Sequence, residues 1–260
     1  MKTIAIAFLA LLAGPAAAQD DAEAKKKRLG QLMKQMTEIQ KEGQKLLDEL
    51  TGGDRSKIEA IMKEVMEKYA PEMSAEMGRS QAAASERNAA STLKTLATAQ
   101  ADFRANDRDG NRVQDFWVAD VSGLYRIDPG EPIRLIEQSV ATADAKPCVP
   151  LDKAGTLAAN AKEHASKLVA LGKPAAKAGY WFAAIERYED DKGSGAKYDE
   201  GNGRNSSMFG LCSYPAEYGK AGKSTFILNE DNTIWKKDTG GKPVDLFPAD
   251  PKKAGWSKLD

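Results

Sequence analysis

Histidine and cysteine are nearly missing from this chain of 260 residues, which has one His and two Cys. No G-x-S-x-G, H-E-x-x-H, C-x-x-C or P-loop pattern occurs, so the usual routes to nucleophilic, zinc, dithiol and phosphate chemistry lack their residues. Lys+Arg and Asp+Glu both count 38, and with no net field nothing argues for nucleic acid or an anionic membrane surface. No apolar run approaches the roughly 20 residues a membrane-spanning helix needs. Aromatic residues are few, and all but Phe8 and Tyr69 lie from Phe103 onward. The packed core is therefore expected in the C-terminal two thirds.

The first eighteen residues have the form of a cleavable export signal. Lys2 is the basic start, Ile4 to Leu12 the apolar stretch, and Ala16-Ala17-Ala18 the small-residue cleavage site before Gln19. No Cys precedes Cys148, which argues against a lipid anchor. The expectation is an exported protein, periplasmic or extracellular. In an oxidising compartment Cys148 and Cys212 have two readings: a disulfide, worth on the order of 4 kcal/mol in the chain-entropy model, or two separate buried thiols.

Between Ala22 and Leu50 the apolar residues fall at Leu29, Leu32/Met33, Met36, Ile39, Leu46/Leu47 and Leu50. This alternating three-and-four spacing is a coiled-coil heptad stripe broken only by Gly43. Thr51-Gly52-Gly53 ends that helix. Ser56 with Glu59 reads as a capping box opening a second one, which runs through Ile58, Ile61/Met62, Val65/Met66 and Tyr69 to Pro71. Residues 19–79 thus form a helical hairpin or stalk. Its apolar faces either pack at home or serve self-association or an envelope partner through the Leu29–Tyr69 helices.

Residues 80–260 read as an α+β unit. A central helix from Ser85 to Asn106 carries Ala89, Leu93, Leu96/Ala97, Gln100 and Phe103 on one face, small enough to lie close to a sheet. Phe116 to Ile127 is expected as a strand, Pro132 to Ala143 and Asp152 to Leu171 as helices, and Gly179 to Ile185 and Met208 to Tyr214 as strands. Asp190 to Ser207 is expected as a long glycine-rich loop. Thr225–Leu228 and Thr233–Trp235 read as a β-hairpin, and the tail docks Trp256. His164 lies among polar neighbours and reads as a surface residue; no catalytic residue is assigned.

The most suggestive chemistry is the turn after the central helix. Asp107, Asp109, Asn111 and Asp115 stand at relative positions 1, 3, 5 and 9, with the Val113 carbonyl at 7. Alternate residues of a tight loop aim oxygens inward, as calcium loops require. The glycine expected at position 6 is Arg112, and position 12 is Val118 rather than a bidentate Glu. The competing reading is ordinary helix-exit chemistry, with Asx turns and a left-handed Gly110 or Asn111. Asp190, Asp191, Asp199 and Glu200 form a second acidic set, read as a solvated loop.

The words TLKTLATAQADFRANDRDGN, GYWF, LCSYPAEYGKAGKSTFILNEDNTIWKKDTGG and GWSKL resemble a bacterial exported family designated domain of unknown function 2950, over about Ser85 to Asp260. Similar segments occur in pseudopilin-like proteins. The resemblance implies a pilin-like arrangement, a helix packed on a small antiparallel sheet, and implies no reaction. The functional expectation is an exported non-enzymatic structural or assembly protein, with a calcium-dependent ligand-binding module as the alternative.

Overall fold

A computed structural model describes residues 19–126, 133–148, 172–190 and 193–259, with the side chains of 19–24 and 67 excepted. The expected export signal, the Asp152–Leu171 helix with His164, and Asp191 lie outside the described residues. The chain divides into two compact units with the boundary between Ser74 and Ala75.

In the first unit, helix α1 (Gln19–Thr51) and helix α2 (Arg55–Tyr69) follow the apolar stripes. Gly52 and Gly53 adopt left-handed φ values of 59° and 81°, which end α1 as expected. The N-cap of α2 is Asp54 rather than Ser56. Its extended backbone lets Oδ1 accept from the Ser56 and Lys57 N–H groups at 2.9 and 3.3 Å, and a carboxylate suits the positive helix end better than a hydroxyl. Helix α3 (Pro71–Ala105) opens with proline at its first position, where no N–H partner is lost. It takes in Ser74 to Ala84, a stretch rich in Ala, Ser, Met and Gln that by sequence could continue a helix or act as a hinge, ahead of the face read from Ser85.

The second unit is α+β. Its main sheet has five antiparallel strands in the order β10-β8-β7-β6-β2. These are β2 (Tyr180–Ala184), β6 (Gly210–Pro215), β7 (Ser224–Asn229), β8 (Trp235–Asp238) and β10 (Ser257–Lys258). The expected hairpin is β7–β8, in register from Ser224 opposite Asp238 to Ile227 opposite Trp235. The inner face of α3, from Ala89 through Leu93, Leu96 and Ala97 to Phe103, joins Tyr180, Phe182, Leu211, Phe226 and Ile227 in one buried core. Polar ties fix the helix along the sheet. Glu86 Oε1 accepts from the Lys223 and Ser224 N–H groups at 2.9 and 3.0 Å, and Lys94 donates to Asn232. Trp256 is buried as expected.

Three expectations give way to local chemistry. Of residues 116–126 only β1 (Phe116–Trp117) is strand, followed by a single helical turn, α4 (Gly123–Arg126). Of 133–143 only α5 (Gln138–Ala141) is helical, because the Arg134 and Leu135 N–H groups are taken by the Tyr125 and Leu124 carbonyls. The 190–207 stretch contains β4 (Gly195–Lys197) and β5 (Arg204–Asn205). Strand β4 pairs with β3 (Arg187–Glu189), which also runs parallel to β9 (Leu246–Phe247); β5 pairs with β1.

Leu93 is fully buried between α3 and the sheet core. Leu93→Ala is expected to cost about 2–5 kcal/mol, read as a lower urea midpoint at unchanged slope.

Candidate functional site

Gln100, the most deeply buried polar residue of α3, sets the position of β1. Its Oε1 accepts from the Trp117 N–H at 3.0 Å and its amide donates to the Trp117 carbonyl, so a side chain takes the place of a neighbouring strand. The acidic loop is strung between the end of α3 and β1. Asp107 and Arg112 have positive φ values of 45° and 65°, and Gly110 has 68°. The Arg112 N–H donates to Asp107 Oδ2 at 3.0 Å and the Val113 N–H to Asn111 Oδ1 at 2.6 Å. The Asn111 amide donates to Asp109 Oδ2 at 2.9 Å and to Asp115 Oδ2 at 3.0 Å. The structure therefore brings all four expected loop residues together.

It also brings a residue that the spacing did not announce. Arg204 on β5 places Nε and a terminal nitrogen 2.7 and 2.6 Å from Asp109 Oδ2, and Nε 3.8 Å from Asp115 Oδ1. The guanidinium lies 4.1 Å from the Trp117 ring centroid and 5.4 Å from that of Phe103. Stacking on two rings while holding a carboxylate suits a planar, weakly hydrated cation. Asp115 Oδ1 and Asp107 Oδ1 are buried and accept no hydrogen bond. Burial first, then the charges of Asp109 and Asp107, pushes the Asp115 carboxyl above its ordinary range. Among the described residues no three His, Cys, Asp or Glu side chains are set round a metal position as they stand.

A second cluster lies below β1 and was not legible in advance. Asp120 is buried and accepts from the Trp117 indole N–H (2.8 Å), the Gly123 N–H (2.7 Å), the Ser122 hydroxyl (2.8 Å) and the Cys148 N–H (2.9 Å). Fully buried Arg126 stands 3.7 Å from it. Asp144 accepts from the Val121, Ser122 and Lys146 N–H groups at 2.7–2.9 Å. The two carboxylates thus close the turns at 120–123 and 144–148. Gly123 is required here, since a Cβ would fall 2.2 Å from the Trp117 Nε1. The only advance signal is the Asp-x-Ser-Gly run at 120–123, a common turn pattern.

Cys148 and Cys212 are both free thiols. Cys212 is buried in β6, and burial raises its thiol to about 11. Cys148 is exposed as a residue, yet desolvation of its sulfur, the Asp120 charge and its hydrogen bond to that carboxylate push its thiol up further. Neither is poised as a nucleophile. In the second acidic set, Asp190 accepts from the Ser194 N–H, Asp199 from the Gly201 and Gly203 N–H groups, and Glu200 from Ser206, so all three close turns. A shallow cleft of about 250 Å³ borders Asp199, Glu186, Arg187 and Lys197, with charges of both signs on its walls.

In the helical unit part of the stripe stays open, while Met36, Leu47, Ile58, Ile61 and Met66 are half-buried. Leu29, Leu32, Met33, Ile39, Leu46, Leu50, Met62, Val65 and Tyr69 are all exposed, Ile39 by 68% and Leu50 by 67%. No helix among the described residues is long and apolar enough to cross a membrane.

The model of the family described as a protein of unknown function (DUF2950) matches residues 15–250. The chain belongs to this family. The family region begins about seventy residues before the stretch whose wording resembled it, so it takes in the helical unit, and it stops ten residues before the chain does. No curated protein and no solved structure matches the chain.

Burial and the neighbouring Asp120 charge raise the Asp144 carboxyl from its ordinary 3.8 to about 7. Between those values the folded chain holds a proton that the unfolded chain has released, so stability falls as pH rises through about 4 to 7. In thermal melts from pH 4 to 8, wild type is expected to lose stability across that window relative to Asp144→Asn, whose profile lacks this contribution.

Proposed function

We propose that this chain is an exported, non-enzymatic structural or assembly protein of the bacterial envelope. Its α+β unit is pilin-like, and its helical unit associates with a second copy of the same chain. The observation that carries the reading is the exposed seam of α1. Leu29, Leu32, Ile39, Leu46 and Leu50 are exposed at intervals of three, seven, seven and four, the heptad positions that remain once half-buried Met36 and Gly43 are passed over, along a helix of 33 residues, about 50 Å at 1.5 Å per residue. A soluble helix that exposes so many large apolar side chains along one line buries them elsewhere.

The spacing selects the occupant. A three-and-four repeat keeps a straight line of knobs facing a partner helix only when that partner supercoils with it, which a like helix does by symmetry. A flat sheet or a pocket asks for no such repeat. The pilin-like reading is supported by the small-residue face of α3 against an antiparallel sheet. Export is supported by the basic, apolar and small-residue succession of residues 1–18.

Light-scattering mass of the chain from Gln19 to Asp260, measured over a concentration series, tests the reading. The wild-type chain is expected to reach at least twice its monomer mass. A triple variant, Leu32→Glu, Ile39→Glu and Leu46→Glu, is expected to remain monomeric with an unchanged core melt. A wild-type chain that stays monomeric throughout contradicts self-association and assigns the seam to a different protein.

A further inference from the structure

A second copy of the chain can lie along α1 in either direction, and the two directions are not equivalent. The helix is polar in charge from end to end. Lys25, Lys26, Lys27 and Arg28 stand exposed together towards its start, while its last turn carries Asp48 and Glu49 and no basic residue. Acidic groups at a helix C-terminus are the reverse of what the macrodipole favours. Within the helix Glu49 is answered by Lys45 at 3.8 Å, with both side chains exposed, and such a pair is worth little. The acidic end of α1 is therefore better matched by a basic neighbour from outside the helix.

The seam also has a gap. Counted in heptads, Leu29, Met36, Gly43 and Leu50 take the a positions, and Leu32, Ile39 and Leu46 the d positions. In a parallel pair each residue meets its own copy, so Gly43 would face Gly43 and leave a layer of the core empty, which is destabilising. In an antiparallel pair a positions face d positions. With Met36 set opposite Ile39, the neighbouring layers are Leu32 with Gly43 and Leu29 with Leu46, each formed twice. A large side chain then fills the space that the glycine leaves, and the seam closes at each end with Leu50 against the stem of Lys25. The same register places Arg28 beside Glu49 at the flanking g positions. A shift of one heptad in one direction sets Glu42 against its own copy, and in the other sets Leu50 past the start of the partner helix.

We propose that two copies of α1 pair antiparallel, in the register that sets Met36 against Ile39 and Leu32 against Gly43, with Arg28 of each copy meeting Glu49 of the other. This rests on the self-association reading above and adds direction and register to it. The basic start of one helix lies along the acidic end of the other, and the two macrodipoles oppose. A parallel pair would instead set the Lys25–Arg28 run of one copy beside the same run of the other. In the antiparallel pair the two chains leave the seam at opposite ends, with the Leu50 positions about 37 Å apart at 1.5 Å per residue. The seam is then a bridge between two chains rather than a stalk on which both lie side by side.

The test uses the chain from Gln19 to Asp260 with Cys148→Ser, which removes the exposed thiol. Light-scattering mass over a concentration series gives the dissociation midpoint of this parent, of Arg28→Glu, of Glu49→Arg and of the double variant. Each single change sets like charges together at both ends of the seam and is expected to raise the midpoint about tenfold or more; the double change is expected to bring it back to within about threefold of the parent. In a parallel pair positions 28 and 49 lie about 32 Å apart along the axis, and the two changes would act independently. Disulfide trapping with oxidised glutathione reads the register directly. Leu50→Cys alone is expected to stay unlinked, and Leu50→Cys with Lys25→Cys is expected to give a covalent dimer. A parent that dimerises while the two charge changes simply add, or while Leu50→Cys links by itself, overturns the antiparallel register and leaves self-association standing. A parent that is monomeric at every concentration overturns both.

Discussion

The α+β unit depends on the place of one side chain, Arg204. From the two-residue strand β5 it reaches the acidic loop through Asp109, the end of α3 through Phe103, and β1 through Trp117. Strand β1 is itself only two residues long and pairs with β5. A two-residue ladder offers too few hydrogen bonds to hold by itself. The guanidinium supplies what the ladder lacks: a charge-assisted pair and two ring faces, in a site where water does not weaken them. Gln100 holds the other side of β1 with both ends of its amide. Between them the loop leaving α3 has one path.

The same device recurs below β1. Asp120 and Asp144 collect seven backbone, indole and hydroxyl donors between them and close turns that no regular ladder crosses. Buried carboxylates are an expensive way to organise a chain, since each carries a desolvation cost that the hydrogen bonds only partly offset. The consequence is specificity of position for short irregular segments rather than added stability. It is also why Asp144 keeps its proton to nearly neutral pH.

What the sequence made legible follows from periodicity. The face of α3 from Ala89 to Phe103, strands β2, β6 and β7, and the stripe along α1 are all repeats that a local reading can recover, because burial along them depends on spacing alone. Residues 116–126 and 133–143 were misjudged for the opposite reason. Their apolar residues sit among Asp120, Ser122 and Arg134, whose hydrogen bonds override propensity. In the site, the 1-3-5-9 spacing of Asp107, Asp109, Asn111 and Asp115 was visible and the four do converge. Arg204 lies 95 residues from Asp109, and nothing in a glycine-rich stretch marks which arginine will fold back. The membership in the family likewise reached further towards the start of the chain than its most distinctive words.

If Arg204 is the tie that fixes the loop, its energy should be shared with Asp109 rather than belong to either alone. The direct measurement is a double-mutant cycle in chelator, with urea unfolding of wild type, Asp109→Asn, Arg204→Gln and the double variant. A coupling of at least about 1–3 kcal/mol is expected for a buried charge pair in contact. Single losses that simply add, to within about 0.5 kcal/mol, would contradict the account and leave the stack on Trp117 and Phe103 as the part of Arg204 that matters.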